Sequence, residues 1–457
     1  MSHSALPSSG KKKPLLEIQW QILIALILAT VLGLVLPKDG MVAGVNVPVV
    51  CQFVGKLFLR ALQMLVVPLI LSSLICAIAR LGQEGAFGRL GLRSMVYYLS
   101  TVTAAILTGL FLVNIIKPGV VSPEISHSLI SSIGNNQAEV VSKVSAHSGS
   151  DLWQVFVRMI PENIVHSASS NREMLALIFF GFLFGYYITK LPSESREPYV
   201  AFWENTYSVM LFMTDCIVKF TPIGVFGLMT ATVFHMGSAV LGPLVAFACT
   251  VTFALGTQIF ILLPLILWFF GWNPFVHFKM MAPALFTAFS TASSSATVPT
   301  TMECLEKHNY IPKKITQFSI PLGATVNLDG TALYECVAAI FIAQIYGVEL
   351  SFAKQVLVVI LALLTSIGVA GIPAASLVAI VIILEAVGLP AEAIGIILAT
   401  DRILDMCRTT VNLFSDSCAA AVVAGTEGYP KMSWQQLKDI ESGKLPEPID
   451  KDELATS

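Results

Sequence analysis

Apolar segments long enough to cross a lipid bilayer follow one another along most of this chain. Clear segments lie near residues 18–36, 48–79, 95–115, 173–190, 206–232 and 237–270. A membrane-crossing helix needs about 20 predominantly apolar residues. Because backbone polar groups must be paired inside the bilayer, such a succession favours a helical bundle. The sequence therefore predicts an all-α polytopic protein of the cell (inner or plasma) membrane.

The composition excludes several classes of protein. Of the 457 residues, 55% are hydrophobic and 12% are charged, with a mean hydropathy of +0.77. Soluble domains carry about 25% charged residues. A net charge of −2 provides no basic field for nucleic acid. The cysteines form no CxxC pair and the histidines lack metal-ligand spacing, so we expect no disulfide framework, no zinc site and no bound cofactor.

The second half of the chain has apolar segments that are interrupted by polar residues, glycine and proline. They lie near residues 281–303, 311–345, 353–386 and 392–424. The same order occurs twice, a broken apolar segment and then a helix with acidic residues, which indicates two repeated halves. Before them, residues 116–170 are polar and predict a long external loop with some short helix.

The distribution of lysine and arginine predicts the orientation of the chain. These residues are concentrated before the first segment and in alternate short loops, which places both termini in the cytoplasm. Lys279 and the cluster at 307–314 bracket segment 281–303, so this segment should enter and leave on the cytoplasmic side as a re-entrant hairpin. Because both termini are expected on the same side, the number of crossings must be even. Segment 353–386 should therefore be a second hairpin that enters from outside.

The last apolar segment carries polar residues on one helical face. At about 100° per residue, five of them fall within roughly 80° of one another. They are Asp401, Asp405, Arg408, Asn412 and Asp416, with Thr409 just beside them and Arg402 off the face. Insertion scales place the cost of a charge in a membrane helix at about 2.5–3.5 kcal/mol. The stripe favours a substrate and ion pathway over the alternative of ion pairs that only hold helices together.

Acidic groups outnumber basic groups in this region. Asp329, in the preceding segment, joins the three aspartates of the stripe, and only Arg408 offsets them. Uncompensated charge of this size is not tolerated at low dielectric, so either protons or bound cations must neutralise it. This indicates a cation-coupled site.

Polar residues also interrupt the segment that contains Asp329. The stretch 323–331 holds Asn327, Asp329 and two glycines, which should unwind the helix and free carbonyl groups for a hard cation such as Na⁺. A hydrogen-bonded helix kink is the alternative.

Two further interruptions occupy matching positions in the two hairpins. The first, 290–299, is rich in serine and threonine, and Pro299 is expected in the first turn of a following half-helix. The second is 366–376. The N–H groups at the start of a half-helix suit a carboxylate. The two tips together indicate a binding site for an anionic group.

Charge pairing predicts the type of substrate. Arg408 is a planar fork suited to a carboxylate, and Asp405 suits an ammonium group. The hairpin tips can hold a second carboxylate. These groups match an acidic amino acid, whereas a C4-dicarboxylate, the second possibility, leaves Asp405 without a ligand partner.

These motifs resemble the dicarboxylate/amino acid:cation symporter family, which has the glutamate transporter fold. The resemblance covers about 400 residues. It rests on five stretches: 63–70, 221–226, the tip Ser293–Ser295, Asn327–Thr331, and Asp405–Thr409 before Asn412 and Asp416.

The resemblance implies eight transmembrane helices, two re-entrant hairpins, inverted repeats and a homotrimer whose transport domain slides past a fixed scaffold, an elevator. Scaffold helices 1–2 would occupy 18–93 and helices 4–5 would occupy 171–233. The transport domain would comprise helix 3 (94–115) and residues 234–424. An extracellular or periplasmic loop (116–170) and cytoplasmic tails (1–17 and 425–457) complete the chain.

The resemblance also implies roles for individual residues. The substrate would be bound by Ser293, Ser294, Ser295, Thr331, Ile372, Ser376, Asp401, Asp405, Arg408, Thr409 and Asn412. One sodium ion would use Gly323, Asn327, Asn412 and Asp416, a second would use Thr325 with the carbonyls of Ser366 and Ile367, and a third would use Tyr98, Thr101, Asn327 and Asp329.

The chain departs from the family pattern at positions that bear on the coupling ion. Val102 offers no hydroxyl beside Thr101, and the Asp401-Arg402 pair resembles proton-coupled bacterial members. Asp416 is the residue of the sodium-type members. Glu335 resembles the proton-carrying glutamate of animal members, or it is an ordinary hydrogen-bonded carboxyl. Na⁺ is therefore favoured over H⁺, with both kept as alternatives.

Other functional classes fit the sequence less well. An intramembrane protease would need a Ser/His or paired-Asp arrangement, and an ATP-driven pump would need GxxxxGK[ST], so we expect no enzyme. An ion channel also uses broken helices, but it has no need for the pairing of Arg408 with Asp405.

Overall fold

Helices account for almost all regular structure in this computed structural model. It describes residues 18–37, 40–42, 44–83, 89–132, 160, 162–168, 174–236, 241–368 and 375–429. A short antiparallel pair joins β1 (Met41–Val42) to β2 (Val45–Asn46). The helices are α1 (Ile18–Val35), α2 (Val47–Gln83), α3 (Arg89–Ile116), α4 (Pro123–Ser132), α5 (Ile164–Ala168), α6 (Met174–Ile188), α7 (Ser193–Val218), α8 (Thr221–Met236), α9 (Leu241–Phe269), α10 (Pro274–Thr291), α11 (Ser294–Glu303), α12 (Lys313–Val326), α13 (Asp329–Ile345), α14 (Phe352–Gly368), α15 (Ala375–Val387) and α16 (Leu398–Thr426).

Several helices have the length and composition needed to cross a membrane. Three described stretches are both long and strongly apolar: Leu90–Ile116, Leu241–Phe269 and Lys313–Ile345. Shorter apolar helices of 10–17 residues occur in α1, α2, α6, α8, α14 and α15. The expectation of a largely helical protein with several membrane-spanning segments is confirmed.

One group of helices is built around α2. It packs against α6, α7 and α8, and α8 also packs against α1. The contact between α2 and α8 is close because Gly227 has no side chain: a Cβ atom there would lie 2.5 Å from the carbonyl oxygen of Cys51. We call α1, α2, α6, α7 and α8 the first helix group.

A second group surrounds α13. This helix packs against α3, α9, α14, α15 and α16, and every one of its residues except Gln344 is buried. Apolar side chains supply most of the contact, including a stack of Phe247 on Phe341 with ring centroids 4.5 Å apart. We call α3 and α9–α16 the second helix group.

The segment expected to form the first hairpin does reverse direction. Helices α10 and α11 pack against each other, and the chain turns at Ala292, which has a φ of 48°. The hairpin begins at Pro274, earlier than the expected 281, because Asn273 caps α10 by accepting from the amides of Phe275 and Val276.

The expectation that Pro299 lies in the first turn of the half-helix is wrong. Helix α11 begins at Ser294, and the Ser293 hydroxyl caps it by accepting from the amide of Ala296 at 3.3 Å. Because this capping serine lies well before the proline, Pro299 falls in the helix interior.

The second expected hairpin is formed by α14 and α15, which also pack against each other. Its tip, 369–374, lies outside the described residues, and Ile372 with it. The break between α12 and α13 is confirmed: Asn327 and Leu328 leave the helical conformation, with ψ angles of 69° and 59°.

The structure divides the segment expected at 206–232. Helix α7 starts earlier, at Ser193, and ends at Val218, and α8 starts at Thr221. Pro222 explains the restart, because proline has no N–H group and suits the first turn of a helix. In the expected loop 116–170, the short helices α4 and α5 are present, and most of the remainder lies outside the described residues.

Candidate functional site

All five residues of the predicted stripe on α16 are buried. Asp401, Asp405, Arg408, Asn412 and Asp416 expose between 1% and 7% of their surface. Thr409 beside them is also buried. Helix α16 packs against α10, α12 and α13, so the stripe lies inside the second helix group rather than on its surface.

Arg408 holds two of these acids together. Its Nη1 donates to Asp401 Oδ1 at 3.1 Å, and its Nη2 donates to Asp405 Oδ1 at 2.8 Å. Its guanidinium carbon lies 3.8 Å from the centre of the Tyr334 ring, which is a cation–π contact. The predicted partners of a ligand carboxylate and a ligand ammonium group are thus adjacent and already paired with each other.

Arg402 belongs to the same cluster, although the sequence placed it off the stripe. It is buried, and its Nη1 lies 3.4 Å from Asp405 Oδ2. Two guanidinium groups therefore balance Asp401 and Asp405. The surplus of negative charge among the four aspartates is therefore smaller than the sequence suggested, and it falls on Asp329 and Asp416.

Asn412 joins α16 to the start of α13. Its Oδ1 accepts from the amides of Gly330 at 2.7 Å and Thr331 at 3.4 Å, and its Nδ2 donates to the Thr331 hydroxyl at 3.0 Å. These bonds satisfy N–H groups that a helix start otherwise leaves without a partner. The predicted substrate residues Thr331 and Asn412 are in contact.

Asp416 and Asn327 form a second polar cluster. Asn327 Nδ2 donates to Asp416 Oδ1 at 2.9 Å and to the Ser415 hydroxyl at 3.0 Å, and Asn327 Oδ1 accepts from Thr101 at 3.2 Å. The Asp416 carboxylate lies against the backbone of Gly323, where a Cβ atom would be 2.5 Å from Oδ1.

Tyr98 adds to the same cluster. Its hydroxyl donates to the Ser319 carbonyl at 2.8 Å and lies 3.3 Å from the Cβ position of Gly323. The structure therefore brings together five of the predicted ion ligands. They are Tyr98, Thr101, Gly323, Asn327 and Asp416. Ser415 was not predicted, because a serine inside a membrane helix commonly bonds to its own backbone.

Asp329 lies at the first position of α13 and is fully buried. Its Oδ2 accepts from Gln258 Nε2 at 2.8 Å, and its Oδ1 has no partner within the described ranges. Gln258 is a neighbour that the sequence did not predict. The available signal was weak: it is a single amide side chain in an apolar segment.

Glu335 is fully buried beneath the first arm of the second hairpin. Its Oε2 accepts from the Thr365 hydroxyl at 2.7 Å, and its Oε1 has no partner in the described part of the chain. One oxygen of the carboxyl group is thus hydrogen-bonded, and the other could accept a further hydrogen bond or carry a proton.

The serine tips are only partly described. Ser294 is buried at the start of α11, and Ser376 is buried near the start of α15. The side chain of Ser295 and all of Ile372 lie outside the described residues. Thr325 and Ser366 each donate to a carbonyl in their own helix, at 2.8 Å. Their helices α12 and α14 pack together, and Ile367 is buried.

The donor chemistry of the second cluster is that of a hard-cation site. It offers carboxylate, amide, hydroxyl and carbonyl oxygens, the ligands that such ions prefer. Among the described residues, no group of three or more histidine, cysteine, aspartate or glutamate side chains has the geometry of a metal site. Any cation held here would depend on neutral oxygens as well as on Asp329 and Asp416.

Known proteins align with this chain along most of its length. It is 36% identical over 411 residues to the proton/sodium-glutamate symport protein of Bacillus caldotenax, covering 90% of this chain and 94% of the relative. It is 33% identical over 416 residues to the proton/glutamate-aspartate symporter of Escherichia coli (strain K12), covering 90% and 93%. It is 34% identical over 457 residues to excitatory amino acid transporter 3 of Mus musculus, covering 91% and 86%.

A family match covers the same region. Residues 18–426 match the pattern of the sodium:dicarboxylate symporters. This range contains every described helix and both polar clusters of the site. The chain therefore belongs to the sodium:dicarboxylate symporter family.

Proposed function

We propose that this protein is a secondary active symporter of the cell membrane that takes up aspartate or glutamate together with cations, with Na⁺ as the principal coupling ion. One observation carries the proposal. A balanced cluster of arginine and aspartate, which can exchange partners with a zwitterion, lies on the same helix face as an acidic cluster that needs cations. Joining both clusters on one rigid helix couples the two binding events.

The substrate would bind by exchanging ion pairs. Its side-chain carboxylate would meet Arg408 and Thr331, and its ammonium group would meet Asp405 with Asp401 nearby. Its α-carboxylate would meet Asn412 and the N–H group of Ser294 at the start of α11. The Arg408–Asp405 pair at 2.8 Å supports this arrangement, because an acidic amino acid replaces that one internal pair with two intermolecular pairs. Ser293, Ser295, Thr409, Ile372 and Ser376 would complete the pocket.

Three cation sites would neutralise the surplus acids. The first would use Gly323, Asn327, Asn412 and Asp416, the second Thr325 with Ser366 and Ile367, and the third Tyr98, Thr101, Asn327 and Asp329. The short contacts of Asp416 with Asn327 and Gly323 support the first site, and the unpartnered oxygen of Asp329 supports the third.

Glu335 would carry a proton during the transport cycle. In support, its carboxyl lies in a fully buried position and bonds to Thr365 on the first arm of the second hairpin. Movement of that arm would change the surroundings of the carboxyl.

The two helix groups would act as the parts of an elevator. The first helix group would be the scaffold of a homotrimer, and the second would be the transport domain that carries the bound substrate across. Both termini would be cytoplasmic. The separate packing of the groups around α2 and around α13 supports this division.

Uptake by reconstituted protein tests the proposal. Proteoliposomes are given labelled aspartate or glutamate with only a Na⁺ gradient or only a H⁺ gradient, and empty liposomes are the control. We expect accumulation that requires the Na⁺ gradient, and no dependence on either gradient would contradict cation coupling. Accumulation driven only by H⁺, with succinate as an equal competitor, would instead support a proton-coupled C4-dicarboxylate or glutamate symporter.

Binding of the substrate distinguishes a carrier from a channel. We expect aspartate to raise the melting temperature of the wild-type protein and not that of Arg408→Ala. An exposed arginine variant, Arg60→Ala, should respond like the wild type. An ion current with no substrate-dependent stabilisation in any of these proteins would favour the channel.

A further inference from the structure

Gln258 is the only amide or charged side chain between Leu241 and Phe269, a strongly apolar stretch. It is fully buried. Polar groups are costly inside the membrane and are retained where they serve a function. None of the substrate or ion contacts proposed above uses this residue.

The local backbone turns Gln258 inward. Residues Gln258–Leu262 form a π-helical turn inside α9. Such turns insert one extra residue into a helix and are frequent at functional sites. Within this turn Gln258 and Ile259 are buried, whereas Phe260 and Ile261 are exposed by 67% and 59%. The turn therefore directs the amide to the protein interior and apolar side chains outward.

The amide meets one oxygen of Asp329 and leaves two acceptors unused. Gln258 Nε2 donates to Asp329 Oδ2 at 2.8 Å. Asp329 Oδ1 and Gln258 Oε1 are both buried, and neither has a partner among the residues that the structure describes. A buried polar group without a partner destabilises a protein. Two acceptors cannot satisfy each other. The hydroxyl groups of Ser415 and Thr101 lie close to the Asp329 carboxylate, and a cation bound beside them would satisfy both unused oxygens at once.

Other oxygen ligands lie next to this pair in sequence and in space. Asp329 follows the break at Asn327, whose Oδ1 lies 3.2 Å from the Thr101 hydroxyl. Beside Thr101, the buried Val102 provides no oxygen. Val102 thus adds no ligand on the α3 side, and the amide oxygen of Gln258 is an unused oxygen in the neighbourhood.

We propose that Gln258 belongs to the cation site at Asp329, where its N–H group fixes the carboxylate and its amide oxygen is a further ligand for Na⁺. The inference rests on the proposed sodium coupling and extends it to α9. On this inference, the π-helical turn positions a residue that takes part in sodium binding.

The test measures sodium binding without transport. Purified full-length protein is heated in detergent at increasing NaCl, with choline chloride holding the ionic strength constant and with no amino acid present. For the wild type we expect a saturable rise in melting temperature. In Gln258→Met, which keeps the length of the side chain and removes both amide groups, the Na⁺ concentration at the midpoint should rise at least tenfold.

Gln344→Met is the matched control. Gln344 is also on an apolar helix of the second helix group, donating to the Val113 carbonyl at 3.1 Å and accepting from the Gly119 amide at 3.0 Å. It lies near the far end of α13, roughly 22 Å along the helix from Asp329. This variant should lose stability without any change in its Na⁺ midpoint.

A double variant tests whether the two residues act on one ion. Asp329→Ala should raise the midpoint by itself, and adding Gln258→Met should raise it no further. An unchanged midpoint in Gln258→Met, an equal shift in Gln344→Met, or additive effects in the double variant would each overturn the inference. If Gln258→Met does not fold, Gln258→Asn, which retracts the same groups by one methylene, must show the raised midpoint.

The wild-type protein distinguishes this inference from the proposed function. A wild type that takes up aspartate with a H⁺ gradient and shows no response to Na⁺ overturns the sodium coupling itself. A wild type that responds to Na⁺, together with Gln258 variants that respond equally, overturns only the role of Gln258.

Discussion

The Arg408 guanidinium is bounded on its edge by two acids and on its face by an aromatic ring. Nη1 and Nη2 reach Asp401 and Asp405 separately, and Tyr334 lies against the plane. A planar fork can make these three contacts at once, whereas an ammonium group is a point charge on a flexible stem. The geometry of this residue, and not only its charge, therefore matters for the site.

We expect Arg408→Lys to lower the affinity for aspartate at least tenfold, although the net charge is unchanged. Lysine cannot bridge both acids, so a substrate carboxylate would lose its paired donors. The measurement is the aspartate dependence of the melting temperature at saturating Na⁺. Arg402→Lys is the control. Among the described residues Arg402 has one ion pair, at 3.4 Å, so this variant should lose less affinity for aspartate. An equal loss of affinity in the two variants would contradict a special role for the planar guanidinium group of Arg408.

At the residue scale, the sequence predicts groups that share a helix and misses those that meet only in three dimensions. The spacing of Asp401, Asp405, Arg408, Asn412 and Asp416 suffices to predict one buried face. The roles of Gln258, Tyr334 and Ser415 depend on contacts between helices, which spacing within one helix cannot reveal. Arg402 lies off the face by angle, yet its long side chain reaches Asp405.

Among the helices, the contact of α13 with α16 is the one that brings the substrate residues together. Gly330 permits it: a Cβ atom there would lie 2.8 Å from the carbonyl oxygen and 3.1 Å from the Cα of Arg408. Both neighbours are backbone atoms, which cannot rotate away. The helices approach closely enough for Asn412 to bond the start of α13 because this residue has no side chain.

We expect Gly330→Ala to destabilise the protein by about 1–3 kcal/mol, the usual cost of an overpacked core. Separation of α13 from α16 should also weaken aspartate binding, since Thr331 and Arg408 lie on opposite sides of this contact. Chemical denaturation and aspartate titration measure the two effects.

Gly256→Ala is the matched control. Gly256 is also helical, but a Cβ atom there meets nothing within 4 Å. No loss of stability is expected, and an equal loss in both variants would mean that the close approach at Gly330 is unimportant.

The limits of prediction from sequence differ between elements. The break at Asn327 and Leu328 is predictable because polar residues and glycines disrupt an apolar helix. The end of α7 at Val218 is harder to predict, because apolar residues continue on both sides of the single charge at Lys219 and only Pro222 marks the restart. The start of α11 depends on which serine caps it, and four candidates near 290–295 leave Pro299 a poor guide.

On the scale of the whole molecule, an apolar cavity of about 930 Å³ lies between α1 of the first helix group and α9 of the second. Side chains of α1, including Leu26 and Thr30, form one wall, and side chains of α9, including Val245 and Cys249, form the other. Most of the lining is apolar, and apolar surfaces can slide past each other at little cost. In the proposed elevator, the two walls of this cavity would move relative to each other.

We expect a covalent link across this cavity to stop transport. Thr30→Cys is joined to the exposed native Cys249 by a flexible bismaleimide, and Na⁺-driven aspartate uptake is then measured. The same treatment of Thr30→Cys in a Cys249→Ser background is the control and should leave uptake unchanged. Full uptake by the linked protein would show that the two helix groups do not move relative to each other.

The burial of α13 on all sides limits how the site can be opened. A helix without a free face cannot serve as a hinge, because any tilt would separate Asp329, Thr331 and Glu335 from their neighbours and expose apolar side chains around the full circumference. We therefore expect access to the site to depend on the helices of the two hairpins rather than on a tilt of α13. In the proposed elevator α13 and α16 would move together, so we expect the affinity for the amino acid to be nearly the same on the two sides of the membrane.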